Sequence, residues 1–507
     1  MATPDIVVIG AGPNGLFAAC RLARAGLRVH VVEARADRPG GALATEQTTR
    51  PGFLHDVGAG FVAFRDSKAF TALDLSRHGL QWRLAPFESS HPAPDGTVAA
   101  ISRDLDRTAA HFGSARDGDA WRRLADLHRR VEPHLLAYMG PFPQVLPALR
   151  MLPFDAFRVL RIFTSSTAGF ASRTFVSEAA RRVFPGMAMH VDIGPQDRFG
   201  CGLGYMLCLR ASASGFAIPR GGAGAITAAL VDELEAHGGT LQLDAQVDRI
   251  QVRGGRAHAV VLSDGTEIEA RRGVVADTSA PALYLRLLEE AVVPSWIGRR
   301  MRVFPQGWAT FKVDFALSAP VGWSDAVSRE SAVVHAGDSV DDLSRHTRQI
   351  RGGELPDNPY LVIGQHSLFD DTRAPRGGHT LYVYGRVPAR PDGGWARHRE
   401  AFTERIVDRI EGLAPGFRET ILARRAHTPA DLEAMDANLI DGDLGGGSNA
   451  WHRQLVFRPV FPYFRYRTPI HRLYLCSMYT HPGTGIHGMC GWNAAGIVLG
   501  DLGAVEA

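Results

Sequence analysis

The hexapeptide Gly10-Ala11-Gly12-Pro13-Asn14-Gly15 constrains this chain more than any other feature, because of what stands on either side of it. Before it, Ile6 to Ile9 is an unbroken aliphatic run, the pattern of a parallel strand covered on both faces. After it, Leu16, Ala19, Leu22 and Ala23 recur at helical spacing between Pro13 and Ala25, and Gly26 stands where a helix stops. Arg28 to Glu33 reads as a second strand. In that context GxGxxG signals a dinucleotide site. Gly10 permits the tight turn, Gly12 lets backbone approach a pyrophosphate, and Gly15 allows helix and strand to pack closely. The helix start turns free N–H groups and a positive dipole end toward the phosphates. Glu33, 18 residues after Gly15, offers a carboxylate to ribose hydroxyls and repels a 2′-phosphate.

FAD and NAD share this fingerprint, so the choice rests on residues further along the chain. Arg38-Pro39-Gly40-Gly41, then Thr45 and the stretch His55 to Gly60 (HDVGAG), place a second glycine pair just after the acid. That pair gives backbone amides access to a longer, diphosphate-linked cofactor. No second GxGxxG comes after another strand, and GGAGAIT at 221–227 lacks the third glycine. A dedicated nicotinamide domain is therefore not expected, which argues against paired FAD and NAD(P) domains.

A chain of 507 residues exceeds one ordinary core, so two domains are the default. Residues 66–218 read as mainly helical, with 121–139 the clearest segment. A helix closed by glycines (221–239) opens a second alternating block. Strands then turn at Gly254-Gly255 and Asp264-Gly265 before the aliphatic run Val274 to Ala276. Candidate strands at Thr310–Phe315 and Thr380–Tyr384 fall in a mixed region, and the last block is again strand, glycine-rich loop and helix. The expected fold class is α/β. A discontinuous Rossmann-like FAD-binding domain (1–65, 219–295 and 436–507) is joined to a mixed α+β substrate-binding domain (66–218 and 296–435).

These segments resemble the flavin-binding amine oxidase and phytoene desaturase superfamily. The likeness is carried by VVEARADRPGGALAT at the N-terminus, PRGGAGAITAAL (219–230), NLIDGDLGGG (438–447), RQLVFRP (453–459) and YRTPIHRLYLCSMYTHPGTGIHGMCGWNAA (466–495). The last four resemble its phytoene-dehydrogenase-like branch. The likeness implies that Gly10, Gly12, Pro13, Asn14, Gly15, Glu33, Ala34, Gly40, Gly41 and Ala42 hold the adenosine diphosphate half of FAD. It implies that Val247 sets its backbone against adenine, and that Ser477, Gly485, Ile486 and His487 lie beside the ribityl chain and flavin ring. His481 and Thr484 stand where the branch commonly has Pro and Gly, so substrate or reaction can differ from the relatives.

Gly483, Gly485 and Gly488 let a loop pass close to a flat ring, and the helix after it aims its N-terminus at that loop, where it would stabilise reduced flavin. Tyr479, His481 and His487 cluster there and are the candidate catalytic side chains, histidine being suited to proton transfer near neutral pH. A structural role for each competes with that reading. Asp441 and Asp443 read as a glycine-rich turn, and no metal is expected.

The function expected is FAD-dependent dehydrogenation, or desaturation, of a largely apolar isoprenoid or polyene small molecule. Hydride passes to flavin N5, and an external acceptor or oxygen reoxidises the cofactor. An amine or amino-acid oxidase and a flavin-dependent isomerase or cyclase are the rivals. Net charge is +3, from 56 basic and 53 acidic residues, which does not suggest a nucleic-acid surface. Five scattered cysteines (Cys20, Cys201, Cys208, Cys476 and Cys490) without metal or CxxC spacing fit reduced thiols. With no run approaching about 18 apolar residues and no basic leader, a cytoplasmic protein is expected, with peripheral membrane contact left open. The apolar and arginine-bearing stretch 142–166 reads as a surface helix at a membrane, as a lid, or as part of the substrate domain's core. Burial in that core is the expectation. The aromatic and basic run 456–467 carries the same ambiguity.

Overall fold

The computed structural model describes residues 3–141 and 150–504. Five parallel strands form one sheet in the order Leu473–Leu475, Gly273–Ala276, Ile6–Ile9, Val29–Val32 and Thr240–Gln242. They come from three separated stretches of chain. Ile6 and Val8 face a helical layer made by Pro13–Arg24, Gly224–Ala236 and Met489–Leu502. Val7 and Ile9 face the opposite layer, under the antiparallel strands Val247–Arg253, Arg256–Leu262 and Glu267–Glu269. Burial on both sides is why these strands are aliphatic without alternation. Pro13 opens its helix at a position needing no N–H bond, and Gly26 leaves that helix at φ +81°, which a side chain would oppose.

A seven-stranded mixed sheet forms the second layer system, in the order Ile421–His427, Ala309–Leu317, His379–Val387, Leu361–Gly364, Ser331–Ala336, Phe87–Pro92 and Val98–Ile101. Its pairs are antiparallel except Ser331–Ala336 with Phe87–Pro92. The last two strands lie inside the stretch read as mainly helical. The reason is chemical: Phe87–Pro92 is FESSHP, polar yet buried along its whole length, so no apolar period betrays it. Glu88 is held instead by the Phe216 N–H (2.7 Å) and Arg103 (2.7 Å).

One face of this sheet packs Phe311, Val313, Phe315 and Val383 against Phe402, Ile406 and Ile410 of the helix Gly394–Leu413. The two-residue period then turns Lys312, Asp314, Tyr382, Tyr384 and Arg386 to the other face, where register pairs Lys312 with Tyr384 and Asp314 with Tyr382. Lys312 Nζ reaches both Asp314 oxygens at 2.5 Å, with side-chain exposures of 2% and 0%. Lys312 holds the Asp314 carboxyl well below its usual range despite burial, which pushes the other way.

Contrary to the expectation of burial, the helix Pro153–Phe163 exposes Phe154, Phe157 and Leu160; residues 142–149 of the same stretch lie outside the described residues. Among the described residues no helix is long and apolar enough to cross a membrane. Removing one partner of a buried ion pair strands the other charge, at a cost of about 3 kcal/mol or more. Asp314→Asn should therefore lower stability by about that amount in chemical denaturation, whereas Lys312→Met combined with Asp314→Leu should recover most of the loss. An Asp314→Asn protein as stable as wild type would show that the pair holds nothing together.

Candidate active site

The carboxyl ends of the parallel strands converge, as ligand sites of open α/β sheets do. Gly10 leaves the first strand at φ +92°, and its N–H donates to Val32 O (2.8 Å). A Cβ on Gly15 would collide with the Gly10 carbonyl, and one on Gly12 would lie 2.6 Å from Asp277 Oδ2. Glu33 ends the second strand. Its Oε2 accepts from the Ala11 N–H (2.8 Å) and its Oε1 from the Arg35 N–H (3.0 Å), which fixes the carboxylate over the glycine turn. Ala34 follows directly. Gly40 donates to Ala11 O (2.9 Å), bringing the second glycine pair onto the first. Gly41, at φ +52°, leaves room for Asp436, whose Oδ2 would stand 2.8 Å from a Cβ there, and Ala42 continues this turn. Val247 begins its strand two residues after Ala245, whose N–H bonds Glu33 O (2.8 Å).

The C-terminal loop reaches the same place from the other end of the chain. Ser477 follows the strand Leu473–Leu475 and Cys476, whose N–H bonds Ala276 O (2.9 Å). Gly485 lies at φ +130°, Ile486 packs against the helical core, and Gly488 (φ +67°) caps the helix Met489–Leu502. That helix crosses the first one so closely that a Cβ on Gly488 would strike the Phe17 ring and one on Gly491 the Asn14 carbonyl. Two helix N-termini, at Pro13–Asn14 and at Met489, thus open side by side. The positive ends of their dipoles suit the anionic pyrophosphate and the electron-rich edge of a reduced flavin.

Each of the three candidate catalytic side chains is engaged by the backbone. His487 accepts the Met489 N–H on Nδ1 (3.0 Å) and donates from Nε2 to Gly483 O (3.2 Å), spanning its own loop. Burial lowers it to about 4, so it is neutral at physiological pH. His481 Nε2 bonds Tyr138 O (2.9 Å), and burial lowers it too. The Tyr479 hydroxyl donates to Asn438 O (3.0 Å) and is raised by burial.

Around this loop Asp277, Asp436 and Arg458 have no role assigned from sequence, and Asp443 does more than the turn expected of it. Asp277 follows the strand Gly273–Ala276, beside the central one, and accepts the Gly15 N–H (2.7 Å). Burial, aided by the charges of Asp436 and Glu33 and opposed by that bond, pushes it up to about 7. Asp436 is likewise raised by burial and by Glu33. A polar residue directly after the aliphatic run Val274 to Ala276 was the available signal for Asp277. Asp443 accepts three backbone N–H groups, from Gly307 (2.8 Å), Gly445 (2.6 Å) and Gly447 (2.8 Å), and so pins the glycine loop 445–447. Buried Arg458 crosses from that loop to the next, donating to Gly445 O (2.9 Å), Gly446 O (2.7 Å) and Met478 O (2.8 Å), beside Gly483. On the other side, Asp56 of the HDVGAG stretch accepts from Arg373 (2.9 Å), Thr45 (2.8 Å) and the Ala223 N–H (2.7 Å). Those bonds hold Gly58 to Phe61 against His366, whose ring stacks on Phe61 at 4.0 Å.

Parallel strands that end on two helix starts and a fixed acid define a dinucleotide-binding oxidoreductase. The sequence profile described as "Flavin containing amine oxidoreductase" matches residues 14–499, and the chain belongs to that family. Its cofactor is FAD, and the glycine turns, the collisions a Cβ would meet in them and the placement of Glu33 all fit that group. The chain is 27% identical to a rat protein called pyridine nucleotide-disulfide oxidoreductase domain-containing protein 2, over 98% of this chain and 94% of that one. It is 28% identical to a lycopene-forming phytoene desaturase of Paracoccus sp. (strain N81106 / MBIC 01143), over 99% and 98% of the two chains. Among solved structures, putrescine oxidase bound to putrescine superposes with a TM-score of 0.63 at 18% identity, covering 99% of both chains, which shows the shared fold.

Asp277 keeps its proton in the fold up to about pH 7, whereas an exposed aspartate loses it near 3.8. Folding is therefore favoured below that window, loses stability as pH rises from about 4 to 7, and changes little from this group above it. A pyrophosphate bound beside Asp277 would raise it further, linking FAD binding to the proton so that it weakens in alkali. With one unit added, the Kd for FAD should rise about sevenfold between pH 6 and pH 8.5. Asp277→Asn should flatten that dependence, read by quenching of FAD fluorescence on titration. Equal slopes in the two proteins would remove Asp277 from the cradle.

Proposed function

We propose that this protein dehydrogenates a largely apolar small molecule, of isoprenoid or polyene type, with FAD as the hydride acceptor and oxygen or a separate acceptor as final oxidant. The observation that carries this reading is a cavity of about 350 Å³ in which the apolar side chains of Met301, Val303, Phe304, Phe457, Val460 and Phe461 are joined by Arg300, His452, Arg453 and Arg458. Arg458 is the same side chain that bridges the two glycine loops, which sets the cavity next to the loop expected at the flavin ring. The likeness to the desaturase from Paracoccus, over nearly the whole of both chains, supports the same class of substrate.

FAD, when bound, takes up a hydride equivalent from a substrate C–H bond; loss of the neighbouring proton completes the double bond. The chain's residues serve that chemistry by holding and orienting. Gly10, Gly12, Pro13, Asn14 and Gly15 would form the turn and helix start that receive the pyrophosphate, Pro13 by setting the first helical turn and not as a donor, and Glu33 with Ala34 would meet the adenosine ribose. Gly40, Gly41 and Ala42 would close over the diphosphate, and the Val247 backbone would lie against adenine. Ser477, Gly485 and Ile486 would follow the ribityl chain and ring. His487, neutral and bonded at both nitrogens, is a positioning residue that sets the curvature of the ring loop, as His481 and Tyr479 set its flanks.

The test is anaerobic mixing of the holoprotein with a detergent-dispersed acyclic polyene or with primary amines, following the flavin bands and the products. Bleaching by the polyene, with one more conjugated double bond in the product, is the expected result. Bleaching by amines with peroxide release on aeration would assign an amine oxidase instead, and product without consumption of oxidant an isomerase or cyclase. Gly15→Val should leave the purified protein colourless, because its side chain would meet the Gly10 carbonyl. Retention of stoichiometric FAD by that variant would refute the assignment of the first turn.

A further inference from the structure

We propose that this protein docks on an anionic lipid surface through the helix Pro153–Phe163 and the aromatic rim that continues from it. The helix is amphipathic in the reverse of the usual sense. Its inward side is Asp155, Val159 and Ile162, with Asp155 bound by Arg130 through two bonds of 2.8 and 3.0 Å. Its outward side is Phe154, Phe157 and Leu160, preceded by Leu152, with exposures of 68%, 62%, 61% and 66%. Fully burying one such side chain is worth about 1.5–3 kcal/mol, and four of them exposed within nine residues are not an ordinary solvated surface.

The charge on this face is of one sign. Arg158 and Arg161 stand among the apolar side chains, and Arg150 precedes them. None of the three makes a salt bridge among the described residues, and Arg158 lies over the Phe154 ring at 4.9 Å. The one acid of the helix is turned inward and neutralised. Apolar side chains interleaved with arginines, and no exposed carboxylate on the helix, match the boundary between acyl chains and anionic headgroups. A second protein copy would bring the same positive charge against itself.

The face also runs on to the cavity assigned above. Thr164 O, at the end of the helix, accepts the Phe199 N–H (3.4 Å), and the exposed Phe199 packs on exposed Trp451 at 4.9 Å between rings. Beside Trp451 lies the cavity rim, with exposed Phe457 and Phe461, and its lining carries Arg300, Arg453 and Arg458 but no carboxylate. Lipid contact would thus present a water-insoluble substrate to the mouth of the cavity. That last step rests on the substrate reading; the docking itself does not.

Vesicle flotation of the resting holoprotein tests the docking without turnover. The holoprotein should float with phosphatidylcholine–phosphatidylglycerol vesicles, bind pure phosphatidylcholine several-fold less, and lose affinity with added salt. Phe154→Ser combined with Phe157→Ser should weaken partitioning about tenfold or more. Arg158→Gln combined with Arg161→Gln should weaken binding to the anionic vesicles alone. Unchanged flavin absorbance and thermal midpoint in each variant establish that the fold is intact. Flotation unaffected by the two phenylalanine changes, or equal binding to both vesicle types, would overturn the proposal. So would a wild-type protein that ignores vesicles but forms dimers abolished by Phe154→Ser and Phe157→Ser, since the face would then belong to a second copy. Docking that survives while polyene turnover fails would leave this inference standing and remove the substrate reading.

Discussion

The structure depends on the close crossing of its first and last helices. Gly491 sits against the Asn14 carbonyl and Gly488 against Phe17, a separation that no side chain at either glycine would allow. That contact joins residues from opposite ends of the chain and puts two helix N-termini at one point. Everything between has to leave the parallel sheet and return to it, which is why three separated stretches build that sheet and the seven-stranded sheet is inserted among them. The loop from Ser477 to Gly488 takes its shape from the same crossing. Its last turn must deliver Met489 to the start of a helix, and His487 accepts that residue's N–H while holding Gly483.

Two helix dipoles pointing into one space would favour anions, yet the cradle also carries Glu33, Asp277 and Asp436. The conflict is resolved by protonation and by hydrogen bonding. Glu33 is satisfied by the Ala11 and Arg35 N–H groups, while burial keeps the proton on Asp277 to about pH 7. A neutral acid bonded to the Gly15 N–H preserves the geometry of the turn without opposing a pyrophosphate. The positive side of the site is supplied by Arg458, whose guanidinium is spent on backbone carbonyls rather than on a carboxylate. It ties the 445–447 and 478–483 segments together and leaves the cavity behind it free of acidic groups.

How much of the fold and site was legible depends on the kind of force involved. The first turn, its flanking elements and the strand turns at Gly254-Gly255 and Asp264-Gly265 rest on local chemistry, and the structure has them within a residue or two. The strand Phe87–Pro92 was illegible because it is buried by hydrogen bonds to distant partners rather than by apolar contacts: Glu88 to the Phe216 N–H, Ser90 to Ser328. Asp443 looked like a turn residue and is one, but its reach to Gly307 across 136 positions leaves no trace in local pattern. The tyrosine and histidines of the last loop are legible in the sequence as residue types, while their hydrogen bonds, which bear on proton transfer against positioning, exist only in three dimensions.

The helix Pro153–Phe163 gives the opposite lesson. Its apolar content was plain, and burial was the reading to prefer, since apolar residues more often enter a core. What decides otherwise is the position of Asp155. Its double bond to Arg130 fixes the rotation of the helix, and 3.6-residue geometry then forces Phe154, Phe157 and Leu160 outward. A rotation that buried those three would break the double bond from Arg130 to Asp155 and bring Val159 and Ile162 out of the core in exchange, so it would gain little apolar burial. The outward apolar face is thus held by the ion pair and by Val159 and Ile162 on the inner side. A face maintained in this way, beside a cavity whose rim is also aromatic and basic, connects the surface of the molecule to the chemistry at its centre.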